Sequence, residues 1–330
     1  MTVPVPGPDD LAAAYAVTRR ASRVTPLLDA PRLAAAVGAA EVWVKAENLQ
    51  RAGSFKLRGA CWRLSCLTAE EKARGVVAYS SGNFAQGLAA AGRDLGVPVT
   101  IVMPDDAPEM KRRATEGFGA TVVLSHHGAR PREEAASELA QTIAAERGLV
   151  LLHPFDDPLI VAGQAGAAIE AMEQLGRAPD VVACPVGGGG LMGGVALAVR
   201  AANAQAAIWA VEPAGYDGMG RSLAAGTRLK VAGGATICDA LQATMPGVAP
   251  FAAAQAAGVR GLPVTDAQVA AALRLAFEDL KLVLEPSGAV ALAAVLAGML
   301  PVAGKTVMVF ATGGNIPFGR FAEILNAEAA

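Results

Sequence analysis

A chain of 330 residues, 53% hydrophobic and 18% charged, has enough core-forming side chains for two domains or one large α/β unit, which excludes a disordered protein. A net charge of −2 supplies no field for holding nucleic acid or an anionic membrane surface. Met1 to Asp10 lacks the basic and apolar stretches of a signal peptide, and four scattered cysteines (Cys61, Cys66, Cys184, Cys238) have no metal or redox spacing, so a reducing cytoplasm is expected.

The first informative element is a strand-like run, Glu41 to Lys45, followed by Gly53-Ser54-Phe55-Lys56-Leu57-Arg58-Gly59-Ala60. Ser54 is placed to cap a helix over the next dozen residues, which puts Lys56 in the first turn. There the positive end of the helix disfavours an ammonium, and Phe55 with flanking glycines leaves room for a planar group. A lysine in that position is a candidate amine nucleophile of the Schiff-base type. Thr68 with Glu71, and Thr265 with Gln268, have the spacing of capping boxes.

From Val76 onward short apolar runs alternate with helical patterns. Strands are expected over Val76–Tyr79, Val99–Met103, Thr121–Leu124, Val181–Cys184, Ile208–Val211 and Thr306–Phe310. Helices are expected over Asn83–Leu95, Glu109–Gly117 and Arg132–Arg147. Such alternation gives an α/β fold with open twisted parallel sheets and helices on both faces. Val181 to Val199 is uncharged and long enough to span a bilayer, but Pro185 and six glycines interrupt it. Ala289 to Leu300 is too short to span and reads as a buried helix.

Three loops follow expected strands. Ser80-Ser81-Gly82-Asn83 opens a helix, and its amides and hydroxyls suit a carboxylate, with Asn83 able to donate to a phenolic oxygen. Gly187 to Gly190, preceding Leu191, forms a tetraglycine at a strand-to-helix junction, a cradle for a phosphate. Ala311-Thr312-Gly313-Gly314-Asn315 offers a hydroxyl at the C-terminal edge of the sheet, where ligands bind in open α/β folds. The glycine segment has a second reading. Gly188-x-Gly190-x-x-Gly193, with Glu212 ending the next strand, also fits a dinucleotide fingerprint, so that a nicotinamide-dependent dehydrogenase and a pyridoxal enzyme are equally open on this segment. His126, His127 and His153 have no spacing for zinc or a serine triad.

Taken together, Ser-Phe-Lys-x-Arg-Gly-Ala, Ser-Ser-Gly-Asn, the tetraglycine and Thr312-Gly313-Gly314-Asn315, in that order, resemble the fold-type II pyridoxal-phosphate enzymes (tryptophan synthase β-subunit-like), specifically the threonine/serine dehydratase and serine racemase family. The resemblance starts at Thr25-Pro26-Leu27 and covers nearly the whole chain. It implies two domains, a large cofactor-binding one of residues 1–72 and 152–330 and a small one of residues 73–151, without a C-terminal regulatory domain. It implies Lys56 as Schiff-base lysine and Cα base, Phe55 against the cofactor ring, and Asn83 on its phenolic oxygen. Gly187, Gly188, Gly189, Gly190 and Leu191 would hold the phosphate of pyridoxal 5'-phosphate, and Thr312 would meet the pyridine nitrogen. Ser80, Ser81, Gly82 and Asn83 would hold the substrate carboxylate, with Ser81 an acid and base on the opposite face. Arg132 aligns with a residue that meets a second acidic group on a substrate.

A hydroxyl at the pyridine nitrogen, unlike an aspartate, leaves that nitrogen unprotonated and favours loss of a β-substituent. The expected activity is therefore elimination of the β-hydroxyl of a small amino acid, threonine or serine, to a 2-oxo acid and ammonia. A serine or aspartate racemase and a 3-hydroxyaspartate dehydratase are alternatives on the same fold. A monovalent or divalent cation at Glu212 belongs to the family pattern, but position 218 is Gly218 and Asp217 stands one place early. Phe84 replaces the family's histidine. A homodimer is the expected assembly.

Overall fold

The computed structural model describes residues 3–128 and 130–327. Among the described residues ten strands form two sheets: β1 (Leu27–Asp29), β2 (Glu41–Ala46), β3 (Val76–Tyr79), β4 (Val99–Pro104), β5 (Thr121–Ser125), β6 (Val150–Leu152), β7 (Val181–Pro185), β8 (Ala207–Pro213), β9 (Arg260–Val264) and β10 (Thr306–Ala311). The larger sheet has the order β1-β2-β10-β7-β8-β9 and the smaller β5-β4-β3-β6. Every pairing is parallel except β1 on β2, so the larger sheet is mixed at one edge rather than wholly parallel.

Strand periodicity explains why both sheets are covered on both faces. In β7, Val181 and Ala183 enter one core while Val182 and Cys184 enter the other. β10 does the same, with Val307 and Val309 on one side and Met308 and Phe310 on the opposite side. The small sheet repeats the device: Ile101 and Met103 face one cluster and Val102 the other. Alanine-rich helices close these faces, and helix Pro286–Leu296 is buried over nearly its whole length. Among the described residues no helix is long and apolar enough to cross a membrane.

Both capping boxes form, at Thr68–Glu71 and Thr265–Gln268. The expected Ser54 cap does not. The helix begins at Lys56 with Phe55 as its N-cap, and the buried Ser54 hydroxyl has no hydrogen-bond partner among the described residues. Ser54 instead bridges to Gly313 across the chain, because the preceding turn is stitched to the loop after β10. Phe55 donates its N–H to the carbonyl of Thr312 at 3.2 Å, and Gly314 donates to that of Gly53 at 3.0 Å. Gly53 lies at φ 70°, and a Cβ there would come within 2.2 Å of the Asn315 side chain. Only glycine satisfies both the left-handed backbone and the close approach.

Candidate active site

The parallel strands β10, β7 and β3 run the same way within their sheets, and the loops leaving their C-terminal ends line one cavity of about 340 Å³. That volume is within the range of small-molecule sites. Phe55, Lys56, Ser80, Ser81, Gly82 and Asn83 contribute to its wall, as do Gly187 to Leu191 and Thr312. Arg132 does not. Its guanidinium is exposed and pairs with Asp106 at 2.8 Å.

The Lys56 ammonium group donates to the Pro154 carbonyl at 3.0 Å and lies 5.2 Å from the Phe55 ring centroid. Burial lowers its pKa to about 8, with the nearby Glu285 carboxylate opposing that shift. Desolvation is thus the cause of its depressed basicity, and an amine of this kind is accessible as a nucleophile and base near neutrality.

Two helix starts face the cavity without side-chain caps. Helix Gly190–Ala202 has Gly189 as N-cap at φ 97°, and the N–H groups of Gly187 to Leu191 have no acceptor among the described residues. Unpaired donors at a helix N-terminus form an anion site, and five of them in sequence fit a phosphate. The loop is pinned from behind, since a Cβ on Gly188 would sit 2.3 Å from the Phe155 ring. Gly188→Ala is expected to cost about 1–3 kcal/mol by overpacking. Denaturant melting reads that cost, and equilibrium dialysis should show weaker binding of a phosphate-bearing ligand. The second start is helix Asn83–Leu95, again uncapped, with Ser81 and Gly82 before it. The cavity is therefore faced by two helix N-termini, each of a kind that favours an anion.

Asn83 is more constrained than its motif suggests. Its amide nitrogen donates to Glu285 at 2.6 Å, and its oxygen accepts from Asn315 at 2.7 Å. One amide hydrogen remains for a ligand oxygen. Glu285 is enclosed, and burial pushes its carboxyl up to about 7, with Asp239 adding to the shift. Glu285 went unrecognised in the sequence, although an acid ending the apolar run Leu282-Val283-Leu284 just before Pro286 at a helix start was a usable signal. Phe155, Glu133, Lys111 and Asp239 also line the cavity without any motif to mark them.

Glu212 is neither a surface strand end nor a free ligand. It is buried, and its two oxygens accept the N–H groups of Met219 and Gly220, each at 2.8 Å. Burial raises its pKa to about 8. A cation or a ribose hydroxyl would have to displace those two donors. The described side chains that do converge with ligand atoms are Asp105, Asp106 and His127, in the loops after β4 and β5.

Residues 18–313 match the family model described as pyridoxal-phosphate dependent enzyme. The chain is 37% identical over 305 residues to the L-threo-3-hydroxyaspartate ammonia-lyase of Saccharomyces cerevisiae, spanning 92% of this chain and 91% of that protein. It is 40% identical over 288 residues to the L-threonine ammonia-lyase of Thermotoga maritima, spanning 87% and 70% respectively. The structure of maize serine racemase superposes with a TM-score of 0.91 at 30% identity, covering 99% of this chain and 98% of the other.

Proposed function

The chain belongs to the family of pyridoxal-phosphate-dependent enzymes, of fold type II, and we propose that it is an ammonia-lyase for a small β-hydroxy amino acid, serine or threonine. The observation that carries this reading is the convergence of one desolvated lysine, two uncapped helix starts and a neutral hydroxyl on a single cavity. Among the described residues the N–H groups of Gly187 to Leu191 have no acceptor, which suits the cofactor phosphate, and the Thr312 side chain makes no bond that would keep its hydroxyl from the pyridine nitrogen. When bound, pyridoxal phosphate withdraws electrons from the amino-acid Cα, so that its proton becomes acidic and its β-hydroxyl a leaving group.

The chain's residues then have separate tasks. The N-terminus at Ser80 to Asn83 holds the substrate carboxylate and so fixes the direction in which the Cα–H bond points. Lys56 takes the Cα proton, a role suited to an amine with a pKa near 8. Phe55 and Phe84 flank it as apolar walls that limit water. Asn83, held by Glu285 and Asn315, presents its remaining N–H to the phenolic oxygen.

Ser81 supports a racemase side activity, because it lines the cavity and its hydroxyl has no bond to the protein among the described residues. In that role it would exchange a proton on the face opposite Lys56. The test is 2-oxo acid release, measured alongside chiral analysis, on L- and D-serine, L-threonine and 3-hydroxyaspartate. Elimination from serine or threonine is expected, and racemisation without any 2-oxo acid would overturn the lyase assignment. Ser81→Ala should suppress racemisation at least tenfold more than elimination, and equal losses would remove the opposite-face role.

The same reading takes the protein as a cytoplasmic homodimer with the small domain at residues 73–151. Four free cysteines suit a reducing compartment. Exposed Val24, Leu49 and Val283 lie on neighbouring segments joined by the Arg23–Leu49 and Asn48–Val283 bonds, a patch suited to a second copy.

A further inference from the structure

The cavity wall carries three acids, Glu133, Asp239 and Glu285, against two bases, Lys56 and Lys111. Lys56 is assigned to the chemistry, and Glu285 is bound to Asn83. The charges left to meet a substrate side chain are Lys111, Asp239 and Glu133.

Lys111 lies on helix Glu109–Gly117, which follows β4 of the smaller sheet, while Asp239 opens the short turn Asp239–Leu241. Ala240 and Leu241 of that turn pack against Gly187, so Asp239 is anchored beside the glycine cradle. The Lys111 ammonium meets the Asp239 carboxylate at 2.8 Å, joining the two walls. Arg132, the other nearby cation, is held by Asp106 outside the cavity. Lys111 and Arg132 are thus each already paired with an aspartate, and Glu133 makes no ion pair among the described residues. A side-chain carboxylate would enter a wall where, among the described residues, Lys111 is already paired, and like charges brought together are strongly disfavoured.

We propose that the Lys111–Asp239 pair selects the side-chain charge of the substrate, directing the site to uncharged β-hydroxy amino acids and away from 3-hydroxyaspartate. This inference rests on the lyase reading above. Lys111 is the specificity residue and Asp239 the positioning residue that keeps its charge occupied. Removing the charge of Asp239 frees Lys111 to bind a side-chain carboxylate. Asp239 is more than half exposed, so its amide variant should fold with little loss of stability.

The experiment measures kcat and KM for L-threonine and L-threo-3-hydroxyaspartate with the holoenzyme, Asp239→Asn, Lys111→Gln and the double variant, with the visible spectrum and melting temperature as folding controls. The wild type should prefer threonine. Asp239→Asn should raise the hydroxyaspartate-to-threonine ratio of kcat/KM at least tenfold, mainly through KM for hydroxyaspartate, and adding Lys111→Gln should abolish the gain. A wild type that prefers hydroxyaspartate, or a ratio that moves less than twofold in Asp239→Asn, overturns the proposal. A holoenzyme forming no 2-oxo acid from any β-hydroxy amino acid sinks the lyase reading instead. The pair is then read by succinate and propionate titrations of the visible spectrum, where Asp239→Asn must tighten succinate selectively for the inference to stand.

Discussion

Lys56→Ala is expected to lower kcat for 2-oxo acid formation by about ten-thousand-fold or more, since it removes the proposed covalent anchor and the Cα base together. A loss of that size corresponds to about 5 kcal/mol of transition-state stabilisation. The proposed phosphate cradle does not include the side chain, so the variant should still take up pyridoxal phosphate but lose it on dialysis. Retention of more than about one per cent of wild-type turnover would contradict a base role of the usual size. A second readout separates chemistry from folding. Burial lowers the folded-state pKa of Lys56 to about 8, well below its ordinary value. Between those two pH values the unfolded chain binds the proton that the folded chain has released, so this group makes the cofactor-free protein gain stability as pH rises. At pH 7, with the amine protonated in both states, Lys56 carries its full desolvation cost. Cofactor-free Lys56→Ala should therefore match or exceed wild type in denaturant midpoint at pH 7, with the difference shrinking above pH 8.

The parts of this site that were legible in sequence are those whose chemistry is local. A tetraglycine after an apolar run, a Ser-Ser-Gly-Asn before a helical pattern and a lysine in a helix's first turn each state their geometry within a few residues. The alternation of strands and helices gave the α/β class for the same reason. What sequence did not carry was set by contacts across the chain. Ser54 has the composition of an N-cap, but the stitching of its turn to Thr312–Asn315 makes it a bridge residue. Glu212 has the position of a strand-end ligand, but the N-terminus of helix Gly218–Ala225 consumes both its oxygens. Glu285 and Asp239 are acids without a motif, and only the meeting of loops 202 and 128 residues away from their partners gives them a task. Strands β1, β6 and β9 were missed because the first two have three residues each and β9 contains Gly261 and Pro263, which mask the pattern.

Arg58→Leu is expected to destabilise the protein by about 3–5 kcal/mol, the cost of breaking a buried ionic group from one side. Arg58 entered the sequence reading only as one letter of a motif, yet its side chain is fully buried. It grips Glu47 with Nε at 2.9 Å and Nη2 at 2.8 Å, and Nη2 also reaches Glu170 at 2.7 Å. Lys45 completes the cluster by pairing with Glu170 at 2.7 Å. Two positive and two negative side chains therefore balance in the interior, and deleting Arg58 strands one negative charge there. Lysine at this position restores the charge but not the two-pronged grip, so Arg58→Lys should recover only part of the loss. Burial alone would raise the pKa of Glu170, but Arg58 and Lys45 outweigh it and hold that carboxyl below its ordinary value. The stabilisation from this group is present above the unfolded-state pKa and disappears as pH falls through the lower folded-state value. The gap between wild type and Arg58→Leu in urea midpoint should accordingly be full at pH 7 and narrow in acid. Because Arg58 follows Lys56 by two residues on the same helix, the variant should also lose turnover in proportion to its unfolded fraction, unlike Lys56→Ala, which loses turnover while folded. A loss of unfolding free energy smaller than about 1 kcal/mol, or a gap independent of pH, would mean that the stranded carboxylate is neutralised by some other route than Arg58.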